Sequence, residues 1–124
     1  MKSSIPATVA PIATRIRAYL GNELVAESRS VLLLRQNPFK IYYCFPEGDI
    51  TDGAVDKNGG RTMSTSLGTR ANYGVNAGGK SVSNAAFALT EPVEEVSQLK
   101  GYVALQFGKL DCWFEEEEEL LGHP

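Results

Sequence analysis

The sequence has little of the side-chain chemistry on which most metal sites and nucleophilic active sites depend. It contains one histidine and two cysteines among 124 residues. His123 is the penultimate residue, and Cys44 and Cys112 stand far apart with no C-x-x-C spacing. A structural zinc site needs four clustered ligands, and a Ser-His-Asp or Cys-His arrangement needs a histidine inside the fold. The sequence therefore predicts no metal, no cofactor and no covalent hydrolysis.

Clustered positive charge is also missing. Twelve Lys and Arg residues against fifteen Asp and Glu residues give a net charge of −3, and the basic residues are scattered along the chain. A protein that binds nucleic acid neutralises phosphates with a basic stripe. We therefore expect no nucleic-acid partner.

Long apolar runs are absent as well. No segment approaches the roughly 20 apolar residues that cross a bilayer, so we expect no membrane partner. The N-terminal residues are interrupted by Pro6 and Pro11 and contain no apolar run of sufficient length, so we expect no signal peptide there. We expect a flexible arm over residues 1–12, a single β-rich domain over residues 13–124 and a cytoplasmic location. In that compartment both cysteines are expected to be buried free thiols.

What the sequence does contain is alternation of apolar and polar residues, which is typical of half-buried strands. In T-R-I-R-A-Y-L the apolar side chains point one way, and Arg15, Arg17 and Tyr19 point the other way. Gly21 and Asn22 tolerate positive φ and predict a turn into the returning strand E-L-V-A-E-S.

Later stretches continue this pattern. S-V-L-L-L-R and K-I-Y-Y-C-F predict buried strands, and R-A-N-Y-G-V-N and K-S-V-S-N-A-A-F-A-L-T predict a hairpin. G-Y-V-A-L-Q-F and L-D-C-W-F predict a final hairpin around Gly108 and Lys109. E-P-V-E-E-V-S-Q-L-K predicts one short helix near residues 92–99, with Thr90 as its cap and Pro92 in its first turn.

These elements define the expected fold class. The tight turns favour antiparallel pairing, and the many short strands favour a mainly β protein. We expect two coiled antiparallel sheets or a partly open barrel, with the single short helix beside them.

Three late stretches are S-N-A-A-F-A-L-T-E-P, L-K-G-Y-V-A-L and L-D-C-W-F-E-E-E-E-E-L-L-G-H-P. They resemble motifs of domain-of-unknown-function family 427, a family of small β-rich proteins of bacteria and fungi. The corresponding family patterns are N-A-A-W-x-Y-x-x-P, I-x-G-Y-V-A-F and D-x-W-x-E-E-D-E-x-x-x-G-H-P. The earlier stretches G-N-E-L-V-A-E-S and Y-Y-C-F-P-E-G-D-I are also similar to family motifs. The resemblance implies a compact pair of antiparallel sheets related to the β-tent group, and it implies no particular activity.

One departure from the family pattern bears on function. Relatives often carry H-C-P-Y-K-G where this chain has M-S-T-S-L-G at residues 63–68. The chain is therefore expected to be a divergent member that lacks the family's H-C-P-x-K-G segment and whose pocket takes another ligand.

Aromatic residues in the matched motifs are the candidates for the walls of an apolar pocket. They are Tyr43, Phe45, Tyr73, Phe87 and Trp113. The alternative is that these rings pack the core, with a polar atom at the edge of the tyrosines and the tryptophan.

Three polar residues are the candidates for catalytic groups. Asn84 stands in an otherwise apolar strand, with backbone support as its alternative role. Asp111 is two residues from Trp113, and a carboxylate beside an indole can have a raised pKa and act as an acid or base. Its alternative is an ion pair with Lys109 or Arg61, and Arg61 itself could hold a carbonyl or carboxylate.

The acidic run, five consecutive glutamates at residues 115–119, is not expected to form a binding site. Five adjacent carboxylates point in different directions, so they are expected to form a solvated sheet edge rather than a cation site.

Two functions remain open at this level. The first is a small-molecule-binding protein that holds an apolar or aromatic ligand in a β-lined pocket and acts as a cofactor-free isomerase, cyclase or proton-transfer catalyst. The second is a non-catalytic domain that binds a partner protein or forms a homodimer through a sheet face, using Arg15, Arg17 and Tyr19.

Overall fold

A computed structural model describes residues 7–37 and 40–122 of the chain. These residues are mainly β, as predicted, with three short 3-10 helices at Glu47–Asp49, Glu94–Leu99 and Phe107–Lys109. The strands are β1 Thr8–Ile12, β2 Ile16–Leu20, β3 Glu23–Ser28, β4 Val31–Asn37, β5 Lys40–Pro46, β6 Val55–Asp56, β7 Arg61–Ser64, β8 Gly68–Ala77, β9 Lys80–Pro92, β10 Tyr102–Gln106, β11 Cys112–Glu115 and β12 Glu118–Glu119.

The strands form two antiparallel sheets. The large sheet has the order β1-β4-β5-β10-β9-β8-β6, with β7 paired to β8, and the small sheet has the order β12-β11-β2-β3. The prediction of two antiparallel sheets is confirmed, and over the described ranges neither sheet closes into a barrel.

The main core lies between the two sheets. On β2 the inward residues Ile16, Ala18 and Leu20 are almost fully buried, while Arg17 and Tyr19 stand on the outer face because side chains alternate along a strand. A second, smaller apolar cluster covers the other face of the large sheet and includes Val96 and Leu99 of the 3-10 helix Glu94–Leu99. The small sheet therefore has one outer face that no such cluster covers among the described residues.

The predicted N-terminal arm over residues 1–12 is wrong for its last part. Thr8–Ile12 forms β1, which pairs with β4 at the edge of the large sheet. Pro11 cannot donate a backbone hydrogen bond, so it is tolerated in an edge strand. Residues 1–6 lie outside the described residues.

The predicted final hairpin is also wrong. β10 pairs with β5 and β9 in the large sheet, whereas β11 pairs with β2 and β12 in the small sheet. The 3-10 helix Phe107–Lys109 carries the chain across from one sheet to the other. Both strands carry apolar side chains, and placing them in facing sheets buries these side chains in the shared interior.

The predicted helix exists, but it is a 3-10 helix with a different start. Its N-cap is Val93, and Thr90 and Pro92 belong to β9 instead. The backbone at Val96 departs from helical geometry (φ −124°, ψ 24°), so the segment consists of two short 3-10 turns joined at a kink, with Val96 and Leu99 as its buried residues.

Candidate ligand-binding groove

The aromatic residues predicted as pocket walls mostly pack against one another in the main core. The Trp113 ring lies 5.0 Å from the Tyr43 ring, 6.2 Å from the Phe45 ring and 5.1 Å from the Phe107 ring, between centroids. The Trp113 indole N–H donates to the Phe107 carbonyl at 3.0 Å. Tyr73 belongs to the same cluster. Four of the five predicted wall residues are therefore core residues, namely Tyr43, Phe45, Tyr73 and Trp113.

Phe87 lies apart from them, on the other face of the large sheet. Its ring makes an edge-to-face contact with Tyr42 at 5.0 Å, and the guanidinium of Arg70 lies 3.8 Å from its centroid. The predicted set of wall residues is thus divided between two separate apolar clusters.

The predicted polar residues are not brought together. Asn84 is exposed with a φ of 53°, opposite an irregular step in the β8–β9 pairing, and its carbonyl accepts a hydrogen bond from Gln106. Asparagine tolerates this left-handed conformation better than most residues, which accounts for the residue type at this position. Arg61 is exposed on β7.

Asp111 is exposed and ties two turns together. Its Oδ2 accepts the backbone N–H of Gly21 at 2.8 Å and the ammonium of Lys80 at 3.0 Å. The Gly21 N–H and the Lys80 ammonium lower the pKa of the Asp111 carboxyl. The expectation of a raised pKa is therefore wrong, because the Trp113 ring is buried while Asp111 faces solvent. The partner is Lys80 rather than Lys109 or Arg61.

A pH dependence follows from this lowered pKa. An aspartate normally has a pKa of 3.8, so the stabilisation from Asp111 is present above that pH and is lost as the pH falls through the folded-state value. We expect Asp111→Asn to be less stable than the parent in urea at pH 7, with the difference shrinking toward pH 2.5. Asp52→Asn, in an exposed turn, is the matched control. A difference that stays constant over this range would show that the ionised carboxylate is not the stabilising species.

The outer face of the small sheet carries a concave groove of about 390 Å³. We call it the groove. Its lining residues are Arg17, Tyr19, Asn22, Asp111, Cys112 and Phe114. The register of β2 and β11 brings four of these residues together, because Cys112 pairs with Tyr19 and Phe114 pairs with Arg17. All four point away from the core, because Ala18 and Trp113 between them point inward.

Arg17 is fixed in the groove by neutral groups. Its Nη1 donates to the Tyr19 hydroxyl at 3.1 Å, and its Nη2 donates to the Glu116 carbonyl at 2.8 Å. The guanidinium stands over the Phe114 ring, 4.9 Å from the centroid. Tyr19 and Phe114 meet edge to face at 5.9 Å. We call the Tyr19 and Phe114 rings the aromatic floor of the groove. The Arg17 guanidinium lies beside it.

The acidic run is more structured than the solvated edge that the sequence predicted. Glu116 has a φ of 52° and accepts the Arg15 backbone N–H at 3.0 Å, and its carboxylate pairs with Arg29. Glu117 pairs with Arg15. The Arg15 N–H and the Arg29 charge lower the pKa of Glu116. These contacts fasten the β11–β12 turn to the start of β2.

Cys112 differs from the prediction of two buried thiols. Cys44 is buried, whereas Cys112 is half-buried in the groove. The Cys112 thiol donates to Glu119 Oε2 at 3.3 Å, and that bond is the main cause of its raised pKa. Strand alternation would predict that Cys112 and Phe114 point outward, because they flank Trp113 on β11. That prediction can be made only when it is known that Trp113 points into the core.

Two features are absent from the part of the chain that the structure describes. Within residues 7–37 and 40–122 no three His, Cys, Asp or Glu side chains are grouped closely enough to hold a metal ion, and His123 lies outside the described residues. In the same ranges, no helix has the length and apolar character needed to cross a membrane.

Comparison with known families gives a clear assignment. The model of a domain of unknown function, DUF427, matches residues 8–116, and this chain belongs to that family. A comparison with curated proteins found no match. The family is the one that the sequence motifs indicated, while the expected divergence at residues 63–68 stays a prediction.

Proposed function

We propose that this protein binds a small planar aromatic molecule in the groove, without a cofactor. The groove itself is the observation that carries the proposal. Its volume of about 390 Å³ falls within the range of about 300–1,000 Å³ typical of ligand sites, which are mostly apolar with a few fixed polar groups. Here the Tyr19 and Phe114 rings supply the apolar surface, and Arg17, Asn22 and Cys112 supply the polar groups.

The rigidity of the groove supports the proposal. Its aromatic residues stand on two hydrogen-bonded strands, and Arg17 is held by two hydrogen bonds and a ring contact. A site whose side chains are already fixed loses less conformational entropy when a ligand binds. Because the Tyr19 and Phe114 rings stand nearly perpendicular to each other, a flat ligand would stack on one ring and meet the edge of the other, without rearranging the sheet.

The proposal keeps the ligand class that the sequence indicated and moves the site. The rings expected to line an internal pocket pack against one another, so we place the aromatic ligand on the outer face of the small sheet. We limit the proposal to binding, since Asn84 lies on β9, Arg61 lies on β7 and Asp111 precedes β11, and no described contact joins any two of them. We also propose the cytoplasm as the compartment, with the free thiols of Cys44 and Cys112 as support.

Alkylation of Cys112 provides the test. Iodoacetamide is expected to modify half-buried Cys112 and to leave buried Cys44 unmodified, as read by peptide mass spectrometry. Three flat probes, 2-naphthol, 2-naphthamide and 2-naphthoate, are then added in separate experiments. We expect at least one of them to slow Cys112 alkylation in a saturable way, because a ligand in the groove covers the thiol.

Two variants show where the probe binds. Tyr19→Ala removes half of the aromatic floor and should abolish the protection, whereas Tyr102→Ala, a half-buried tyrosine of the large sheet, should leave it intact. If none of the probes protects Cys112 at millimolar concentration, the groove is not an aromatic-ligand site. Protection that appears without probe as the protein concentration rises would instead show that this face joins two copies of the chain.

A further inference from the structure

The charges around the groove identify the ligand class more narrowly. Arg15 pairs with Glu27 and Glu117, and Arg29 pairs with Glu116. Arg17 lies on the same face of β2 as Arg15 and opposite Glu27 in the β2–β3 register, yet its two hydrogen bonds go to a hydroxyl and a backbone carbonyl. Among the residues that the structure describes, no carboxylate lies within ion-pair distance of the Arg17 guanidinium.

In this respect Arg17 differs from its neighbours Arg15 and Arg29. Five glutamates lie next to the groove in sequence, and each of the other two nearby arginines has recruited one of them. A half-buried cation that is held only by neutral oxygens retains most of its ability to attract an anion. Asp111, the carboxylate in the lining, is occupied by Lys80 and the Gly21 N–H.

From this we infer that the groove takes a planar aromatic carboxylate, whose ring contacts Tyr19 and Phe114 and whose carboxylate pairs with Arg17. The inference rests on the proposed function and adds the charged group of the ligand. A guanidinium presents a flat fork of N–H donors that matches the two oxygens of a carboxylate. The ring contact and the ion pair then reinforce each other, since the cation already lies beside the aromatic floor.

A matched pair of probes tests the inference. 2-Naphthoate and 2-naphthamide have the same ring system and nearly the same shape, but only the first carries a negative charge at pH 7. We expect naphthoate to bind about tenfold more tightly than naphthamide, as measured by NMR titration of the groove amides, because a charge-assisted bond is roughly twice as strong as a neutral one. High salt should weaken naphthoate binding and leave naphthamide binding unchanged.

Two arginine variants locate the effect. Arg17→Gln should bring the two affinities to within about twofold of each other, since the variant keeps a polar side chain but removes the cation. Arg15→Gln, which removes a neighbouring arginine with its own carboxylate partners, should keep the preference for naphthoate. Far-UV circular dichroism checks that both variants are folded, and the salt dependence of the parent protein gives a reading that needs no variant.

The outcomes separate this inference from the proposed function. If both probes bind equally and the salt has no effect, the groove is an aromatic site but not a carboxylate site, and the inference is overturned alone. If neither probe binds, the proposed function fails together with it. If the preference for naphthoate survives in Arg17→Gln and disappears in Arg15→Gln, the wrong arginine has been assigned.

Discussion

Replacing Trp113 by alanine is expected to destabilise the fold by about 3–5 kcal/mol. The Trp113 side chain is 1% exposed and contacts the rings of Tyr43, Phe45 and Phe107, so its removal leaves a cavity that the surrounding rings cannot refill. It also removes the indole N–H bond to the Phe107 carbonyl. Urea unfolding followed by far-UV circular dichroism measures the change in free energy.

Phe114→Ala is the matched control, because Phe114 is the next residue on β11 and points to the outer face. Its removal should cost about 1 kcal/mol, the central value for point mutants. The comparison separates the roles of the two faces. A tryptophan that lined a large internal cavity would have fewer packing contacts to lose, so a cost for Trp113→Ala no greater than that for Phe114→Ala would contradict its assignment to the core.

Replacing Gly78 by alanine is the second large effect. Gly78, in the β8–β9 turn, has a φ of 57° and touches Gly21, in the β2–β3 turn of the other sheet. A Cβ on Gly78 would lie 2.7 Å from the Gly21 Cα and closer still to its carbonyl oxygen. The two turns would have to separate, and Asp111, which bonds Gly21 and Lys80, would lose its geometry. We expect a loss of about 3 kcal/mol from the clash and the left-handed backbone together.

The adjacent glycine separates these two causes. Gly79 has a φ of 78°, but a Cβ there would meet no atom within 4 Å. Gly79→Ala should therefore show only the conformational cost, about 1 kcal/mol. The excess for Gly78→Ala measures the contact between the turns, and equal losses in the two variants, measured by urea unfolding, would show that the turns do not press on each other.

The Gly21–Gly78 contact also explains why the partners of Asp111 could not be predicted from the sequence. In sequence, Asp111 stands two residues from a tryptophan, and that spacing suggests a shared strand face. In the structure Asp111 precedes β11, faces solvent and joins two turns from different sheets. Neither Gly21 nor Lys80 is near it in the chain, so nothing local to Asp111 indicated these partners.

The candidate site shows the same division between local and long-range information. The alternation on β2 correctly indicated that Arg17 and Tyr19 face outward, and the first hairpin and its Gly21 and Asn22 turn are confirmed. The sequence did not indicate that Cys112 and Phe114 join them. The Arg17 bond to Glu116 spans 99 positions, and a strand carries no local mark of its partner when many apolar strands compete.

The sequence by itself determined the β class, the positions of most strands, the turn with positive φ at Gly21 and Asn22, and the outward face of β2. All of these depend on neighbours within a few residues. Only the tertiary structure decided that β10 and β11 belong to opposite sheets, that Trp113 fills the space between those sheets, and that four outward residues of β2 and β11 form a groove. These outcomes depend on which distant surfaces bury each other most completely, a property of the whole chain rather than of any one segment.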